Sequence, residues 1–182
     1  MESKKAIRNR MRQERSALES ETVYNASKKI IEKIKPYLKG RSKIGIYFPV
    51  QNEVNVAWLL DLRKHFFLPK CYGEGNMDFY FFEDYDKLKV GIHDILEPTG
   101  NVKIAPDELE LMIIPLVAFD ENCNRIGQGG GYYDRYLVKT DCLKIGVAYD
   151  FQKVDKIKTQ AYDVALDIVI SERNVYSHSK ES

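Results

Sequence analysis

The sequence predicts an α/β domain of three layers, a mostly parallel sheet between helices, with additional helices at the N-terminus. Two observations lead there. Several short β-rich runs are apolar at consecutive positions, as in parallel strands covered on both faces, and helical stretches lie between them. The first 38 residues also carry a helical pattern in two pieces, broken near Ser16 and Ser20 and ended by Pro36 and Gly40.

After those helices the pattern changes. Residues 43–48 form a β-rich run stopped by Pro49, and residues 56–66 show the apolar spacing of an amphipathic helix with Trp58, Leu59 and Leu62 as its buried stripe. Further strands are expected at 66–68, 78–82, 111–114, 144–149 and 168–170. Residues 83–108 read as loops with one short strand, and the polar tail 176–182 as frayed. In such a sheet, ligands are expected at the carboxyl ends of the strands.

At 182 residues the whole chain, 1–182, fits one domain, at roughly 100–200 residues each. Lys and Arg number 28 against 27 Asp and Glu, so no whole-molecule field draws the protein to nucleic acid or an anionic membrane. Cys71, Cys123 and Cys142 are odd in number and widely spaced, which disfavours a disulfide framework or a zinc ribbon and suggests buried thiols. A charged start and the lack of a long apolar run point to a cytoplasmic protein.

The densest signal is residues 125–137, Arg-Ile-Gly-Gln-Gly-Gly-Gly-Tyr-Tyr-Asp-Arg-Tyr-Leu. Glycine at 127, 129, 130 and 131 lets backbone N–H groups approach an anion closely, and a helix starting near Gly130 or Gly131 would add donors. Phosphate is the natural ligand. The segment is neither a Walker A loop nor a dinucleotide fingerprint, because no Gly-Lys-Ser/Thr follows and Tyr132 stands where a third glycine belongs. Arg125 can pair with phosphate oxygens, and Asp134 can hold a divalent cation. The plainer alternatives are a flexible turn for the glycines, a surface pair with Arg135 for Asp134, and a core role for one of Tyr132 and Tyr133. Glu53, just before Val56, could likewise be a carboxylate favoured by a helix N-terminus.

The first helix is basic. Lys4, Lys5, Arg8, Arg12 and Arg15 fall within an arc of roughly 100°, bordered by an apolar stripe of Ile7, Met11 and Leu18. The helix can thus dock while presenting cations beside the docking line. A solvated basic face and a phosphate-contacting RNA surface are the other readings, the second weakened by the near-zero net charge.

These residues carry a resemblance. The chain is similar, in order along most of its length, to the 5-formyltetrahydrofolate cyclo-ligase family, also called 5,10-methenyltetrahydrofolate synthetases. Residues 125–134 resemble the family's Arg-Leu-Gly-x-Gly-x-Gly-Tyr-Tyr-Asp block. Supporting blocks are Lys4 with Arg8, Phe48-Pro49 with Glu53, Leu68-Pro69, Gly91-Ile92 with Glu97-Pro98, Pro115 with Ala118-Phe119-Asp120, and Asp163 with Asp167. Leu116, Gln128 and Tyr162 depart from the family's usual residues.

The resemblance implies a fold like that of sugar-phosphate isomerases and coenzyme A transferases. It also implies an ATP-dependent enzyme, with Mg²⁺ as cofactor, that converts 5-formyltetrahydrofolate to 5,10-methenyltetrahydrofolate, ADP and phosphate. Lys4, Lys5, Arg8 and Arg125, Ile126, Gly127, Gln128, Gly129, Gly130, Gly131, Tyr132 and Tyr133 would then bind ATP. Phe48, Glu53 and the loop from Gln128 to Tyr132 would contact the folate. Asp134 and Asp163 would hold the metal, with Arg125 and Asp134 at the chemistry. The expected partners are these small molecules, with no nucleic acid and no membrane, on a monomer. A non-catalytic folate or nucleotide binder of the same fold is the alternative.

Overall fold

The computed structural model describes residues 1–178. Two helices open the chain, α1 (Lys4–Ser16) and α2 (Ser20–Leu38). The Ser3 hydroxyl accepts the Ala6 N–H at 3.1 Å and caps α1, satisfying one of the donors a helix start leaves free. Pro36 lies inside the last turn of α2 rather than ending it, and Gly40, at φ +77°, makes the turn that follows.

The strands, in chain order, are β1 (Lys43–Gly45), β2 (His65–Tyr72), β3 (Asn76–Phe81), β4 (Leu88–Val90), β5 (Leu96–Pro98), β6 (Lys103–Ile104), β7 (Leu111–Pro115), β8 (Ala118–Phe119), β9 (Arg125–Ile126), β10 (Leu143–Val147), β11 (Ile168–Ile170) and β12 (Val175–Ser177). A third helix, α3 (Tyr132–Leu137), follows β9. Eight strands form the central sheet in the order β12-β11-β10-β7-β1-β2-β3-β6. The five from β11 to β2 run parallel, while β3, β6 and β12 add antiparallel edges.

The expected layering follows from the period-two alternation of β7. Leu111 and Ile113 pack with Ile30, Ile34 and Leu38 of α2 on one face, whereas Met112 and Ile114 pack with Tyr136 and Leu137 of α3 on the other. The first helix docks separately, setting Ile7 and Met11 against Val117, Ala118, Ile126 and Ile157. Burying two such side chains contributes about 1.5–3 kcal/mol each.

Three sequence expectations are corrected. Residues 56–66 make no amphipathic helix, only a five-residue 3₁₀ turn, Ala57–Asp61, that buries Ala57, Leu59 and Leu60 and leaves Trp58 and Leu62 partly exposed. Burial at both Leu59 and Leu60 fits a tight turn wedged against the core better than a 3.6-residue stripe. Region 83–108 holds three short strands, two of them a hairpin of β4 on β5, and not one. Of the tail read as frayed, Tyr176 and Ser177 belong to β12 and pair with β11, and residues 179–182 lie outside the described residues.

Chain order reverses across β1. From β1 the sheet grows one way to β2 and the other way to β7, β10 and β11, so the loops leaving the carboxyl ends of β1 and β7 diverge. A crevice opens at such a switch point.

Candidate active site

That crevice is a cavity of about 630 Å³. Its floor is the end of β7, Pro115 and Leu116, and one wall is the segment after β1, with Tyr47, Phe48 and Glu53. The opposite wall is the glycine loop.

The wall after β1 is bolted in place. Tyr47 Oη donates to the Val54 carbonyl at 2.6 Å and Tyr149 Oη to the Asn52 carbonyl at 2.8 Å. Arg15, buried although it belongs to the basic arc, donates to the Gln51 carbonyl at 3.1 Å. Gln51 and Asn52 are held at φ +50° and +60°, a left-handed pair without glycine. Glu53 closes this turn. Its Oε1 accepts the Val50 N–H at 3.0 Å, and the helix-start role falls instead to Asn55, whose Oδ1 accepts the Ala57 N–H. Glu53 is 9% exposed, and burial raises its carboxyl pKa, opposed by the Val50 N–H and by Arg15.

The glycine loop runs from β9 into α3, with Gly131 at φ +71° as the residue before the helix. With only six residues in α3, any anion held here would rest on loop amides more than on a helix dipole. Beneath the loop lies Arg125, buried with its Nε lacking any hydrogen-bond partner among the described residues. Its Nη1 reaches Asp134 Oδ1 at 3.4 Å and its guanidinium lies 5.4 Å from the Tyr133 ring centre. Burial lowers the Arg125 pKa, with Asp134 the largest opposing influence. An unsatisfied buried guanidinium N–H is costly. The Arg125 contact also removes the surface pairing of Asp134 with Arg135, which turns to backbone carbonyls instead.

The first helix closes the site from above. Lys4 Nζ pairs with Asp163 Oδ2 at 2.8 Å, Arg8 Nε donates to the Gly127 carbonyl at 2.8 Å, and Arg12 grips Gln128 at its Oε1 (2.7 Å) and its carbonyl (3.0 Å). Their i, i+4, i+8 spacing keeps all three on one face. Lys5, rotated from that face, is exposed and does not line the cavity.

Every other residue expected at the site lines it: Lys4, Arg8, Phe48, Glu53, all of 125–134, and Asp163. Sequence reasoning missed Cys71, Met77, His93 and Ile95. His93 Nε2 and Tyr132 Oη are 2.7 Å apart, so the β4–β5 turn reaches over to the glycine loop. The Gly91-Ile92 and Glu97-Pro98 blocks flank that turn and were its only sequence signal. The thiol of Cys71 is pushed up to about 11, chiefly by burial, as is that of Cys123.

Of the three carboxylates lining this cavity, Glu53 stands in the wall after β1, and Asp134 and Asp163 are the two a divalent cation could take beside the glycine loop and the first helix. Among the described residues no group of three or more candidate ligands occurs, and none is needed for Mg²⁺, which takes one or two carboxylates plus phosphate oxygens and water. The donor set therefore fits.

A mostly parallel sheet with a glycine loop and flanking cations at its switch point defines an α/β protein of a class whose crevice can take a small-molecule ligand. The chain belongs to the 5-formyltetrahydrofolate cyclo-ligase family, whose model matches residues 1–172. It is 33% identical to the Mycoplasma genitalium 5-formyltetrahydrofolate cyclo-ligase over 93% of this chain and 98% of that one, and 28% identical to the Haemophilus influenzae enzyme over the same shares. The solved structure of Aquifex aeolicus 5,10-methenyltetrahydrofolate synthetase superposes with a TM-score of 0.88 at 32% identity, covering 98% of this chain and 94% of that one. The Mycoplasma pneumoniae synthetase gives 0.79 at 29% identity, over 94% and 99%. No described helix is long and apolar enough to cross a membrane.

Proposed function

We propose that this protein converts 5-formyltetrahydrofolate and ATP to 5,10-methenyltetrahydrofolate, ADP and phosphate through a phosphorylated formyl intermediate. A formamide oxygen is a poor leaving group. When it attacks the γ-phosphorus the bond to the β-bridging oxygen breaks and ADP departs; N10 then attacks the activated formyl carbon, phosphate is expelled, and the N10 proton is lost as the ring closes. Protein assistance to these steps is mainly placement and charge neutralisation.

Arg125, Lys4 and Arg8 supply the positive charge for the phosphates, and the amides of 127–131 surround them. Glu53 offers a carboxylate on the pterin side, able to accept from adjacent N–H groups along one edge. Asp134 and Asp163 would hold Mg²⁺, which when bound neutralises charge on the transferred phosphoryl group. In the structure both aspartates are paired with cations, so loading the site exchanges partners: Lys4 passes from Asp163 to a phosphate oxygen.

The observation that carries this reading is one cavity that gathers Lys4, Arg8, Arg125 and the glycine loop together with the buried Glu53. The test is growth of the methenyl chromophore on mixing protein with 5-formyltetrahydrofolate. Growth that requires ATP and releases one ADP per product supports it; folate binding without turnover would leave a non-catalytic binder.

A further inference from the structure

We infer that Arg135 is a positioning residue for the phosphate loop, acting by fixing the direction of the Gly130–Gly131 peptide. Resting on the phosphate-transfer reading above, this assigns a role to a side chain outside the cavity lining.

Arg135 Nη1 donates to the Gly130 carbonyl at 2.7 Å and to the Gly75 carbonyl at 3.3 Å. Gly75 belongs to the turn between β2 and β3, and 60 residues separate it from Arg135. One guanidinium nitrogen thus ties that turn to the glycine loop. The fit is close. A methyl group on Gly75 would meet Arg135 Nη1 at 1.9 Å, and one on Gly131 would meet it at 3.0 Å.

A trans peptide holds its C=O and its N–H in opposite directions. Drawing the Gly130 oxygen onto Arg135 therefore turns the Gly131 N–H away from the β2–β3 turn. With glycine on both sides of the bond, nothing intrinsic to the loop prevents the peptide from rotating and presenting its oxygen to a phosphate, where it would repel. The tie supplies that restraint. It also sets the distance from the loop to β2 and β3, which carry Pro69, Cys71 and Met77 of the cavity lining.

Arg135 is exposed, so its removal should cost little of the fold. Arg135→Met is the test. Calorimetric affinity for ATP and kcat/KM for ATP should each fall about tenfold, the size of one lost oriented hydrogen bond. The KM for 5-formyltetrahydrofolate and the melting temperature should stay within error. Arg135→Lys should recover part of the loss, since an ammonium can reach the Gly130 oxygen. Gly75→Ala, which displaces the guanidinium, should show the same ATP defect and add nothing to it in the double variant.

ATP affinity and turnover in Arg135→Met equal to wild type would overturn the assignment. So would a fall in both substrates' parameters that tracks a lower melting temperature, because that is what a purely structural tie produces. Loss of ATP affinity in the variant of a protein whose wild type binds ATP but forms no methenyl product would keep the positioning role and reject the cyclo-ligase reading.

Discussion

The two ends of the cavity are built on opposite plans. At the end proposed for the phosphates, charges already answer one another: Lys4 with Asp163, Arg125 with Asp134, Arg8 and Arg12 with loop oxygens. At the end proposed for the pterin a single buried carboxylate, Glu53, stands in a wall fixed by tyrosine and arginine bonds to backbone. One end is made by exchange of partners, the other by shape around a costly charge. Ligand binding at the first end should show mainly in ATP and metal dependence, and at the second in folate KM and pH.

Breaking a pair at the phosphate end should have the largest effect. Asp134→Asn is expected to lower turnover by about two decades or more if Asp134 holds the metal as proposed, since it removes a negative oxygen ligand, and also to lower the melting temperature because Arg125 loses its counter-charge. A turnover deficit with no change in apparent Mg²⁺ affinity would make Asp134 a partner of Arg125 alone. Lys4→Ala and Arg8→Ala come next, each losing about 1.5–3 kcal/mol of phosphate contact, or roughly one to two decades in kcat/KM for ATP. Lys5→Ala is the contrast within the same helix, and ATP kinetics are expected to be unaltered. An equal loss in Lys5→Ala would dissolve the distinction between face and flank.

Glu53→Gln tests the other end. It should raise the folate KM with ATP binding unchanged, because Gln replaces one acceptor by a mismatched donor. The pH dependence follows from the raised carboxyl pKa. Folded protein holds the Glu53 proton more tightly than the unfolded chain, so this group favours the fold at low pH, and that contribution is lost as pH rises from the unfolded to the folded pKa. Folate affinity runs the opposite way, weakening as pH falls through the raised pKa and the carboxylate disappears. A folate KM flat with pH in wild type, or equally sloped in Glu53→Gln, would remove Glu53 from pterin binding. The smallest effect belongs to Arg12→Ala, whose exposed bonds to Gln128 contribute about 0–1 kcal/mol; a change of less than fivefold in ATP kcat/KM is expected.

What could be read from sequence was whatever depends on local pattern. The apolar runs of β7, β10 and β11 announce buried strands, and the 125–134 block announces a close-approach loop that the fold places along the cavity, because glycine spacing has a direct backbone meaning. The stretch after β1 was misread because it folds as a five-residue 3₁₀ turn that buries the adjacent Leu59 and Leu60, so no 3.6-residue period applies. The Lys4–Asp163 pair and the His93–Tyr132 contact join residues 159 and 39 positions apart, and no local pattern encodes such meetings. For the same reason the Arg125–Asp134 contact was not legible, and the plainer alternative for Asp134, a surface pair with its neighbour Arg135, is the one the fold replaces.

The docking of α1 has a consequence for the chain as it is made. Ile7 and Met11 have no surface to bury against until Val117, Ala118, Ile126 and Ile157 have emerged, and Lys4 has no Asp163 until later still. During synthesis the first helix therefore waits, apolar stripe exposed, for most of the chain. Contacts this distant in sequence are slow to form and are reached last. Catalytic competence should then appear abruptly, on release of nearly full-length chains, and nascent fragments ending before residue 163 should bind chaperones rather than nucleotide.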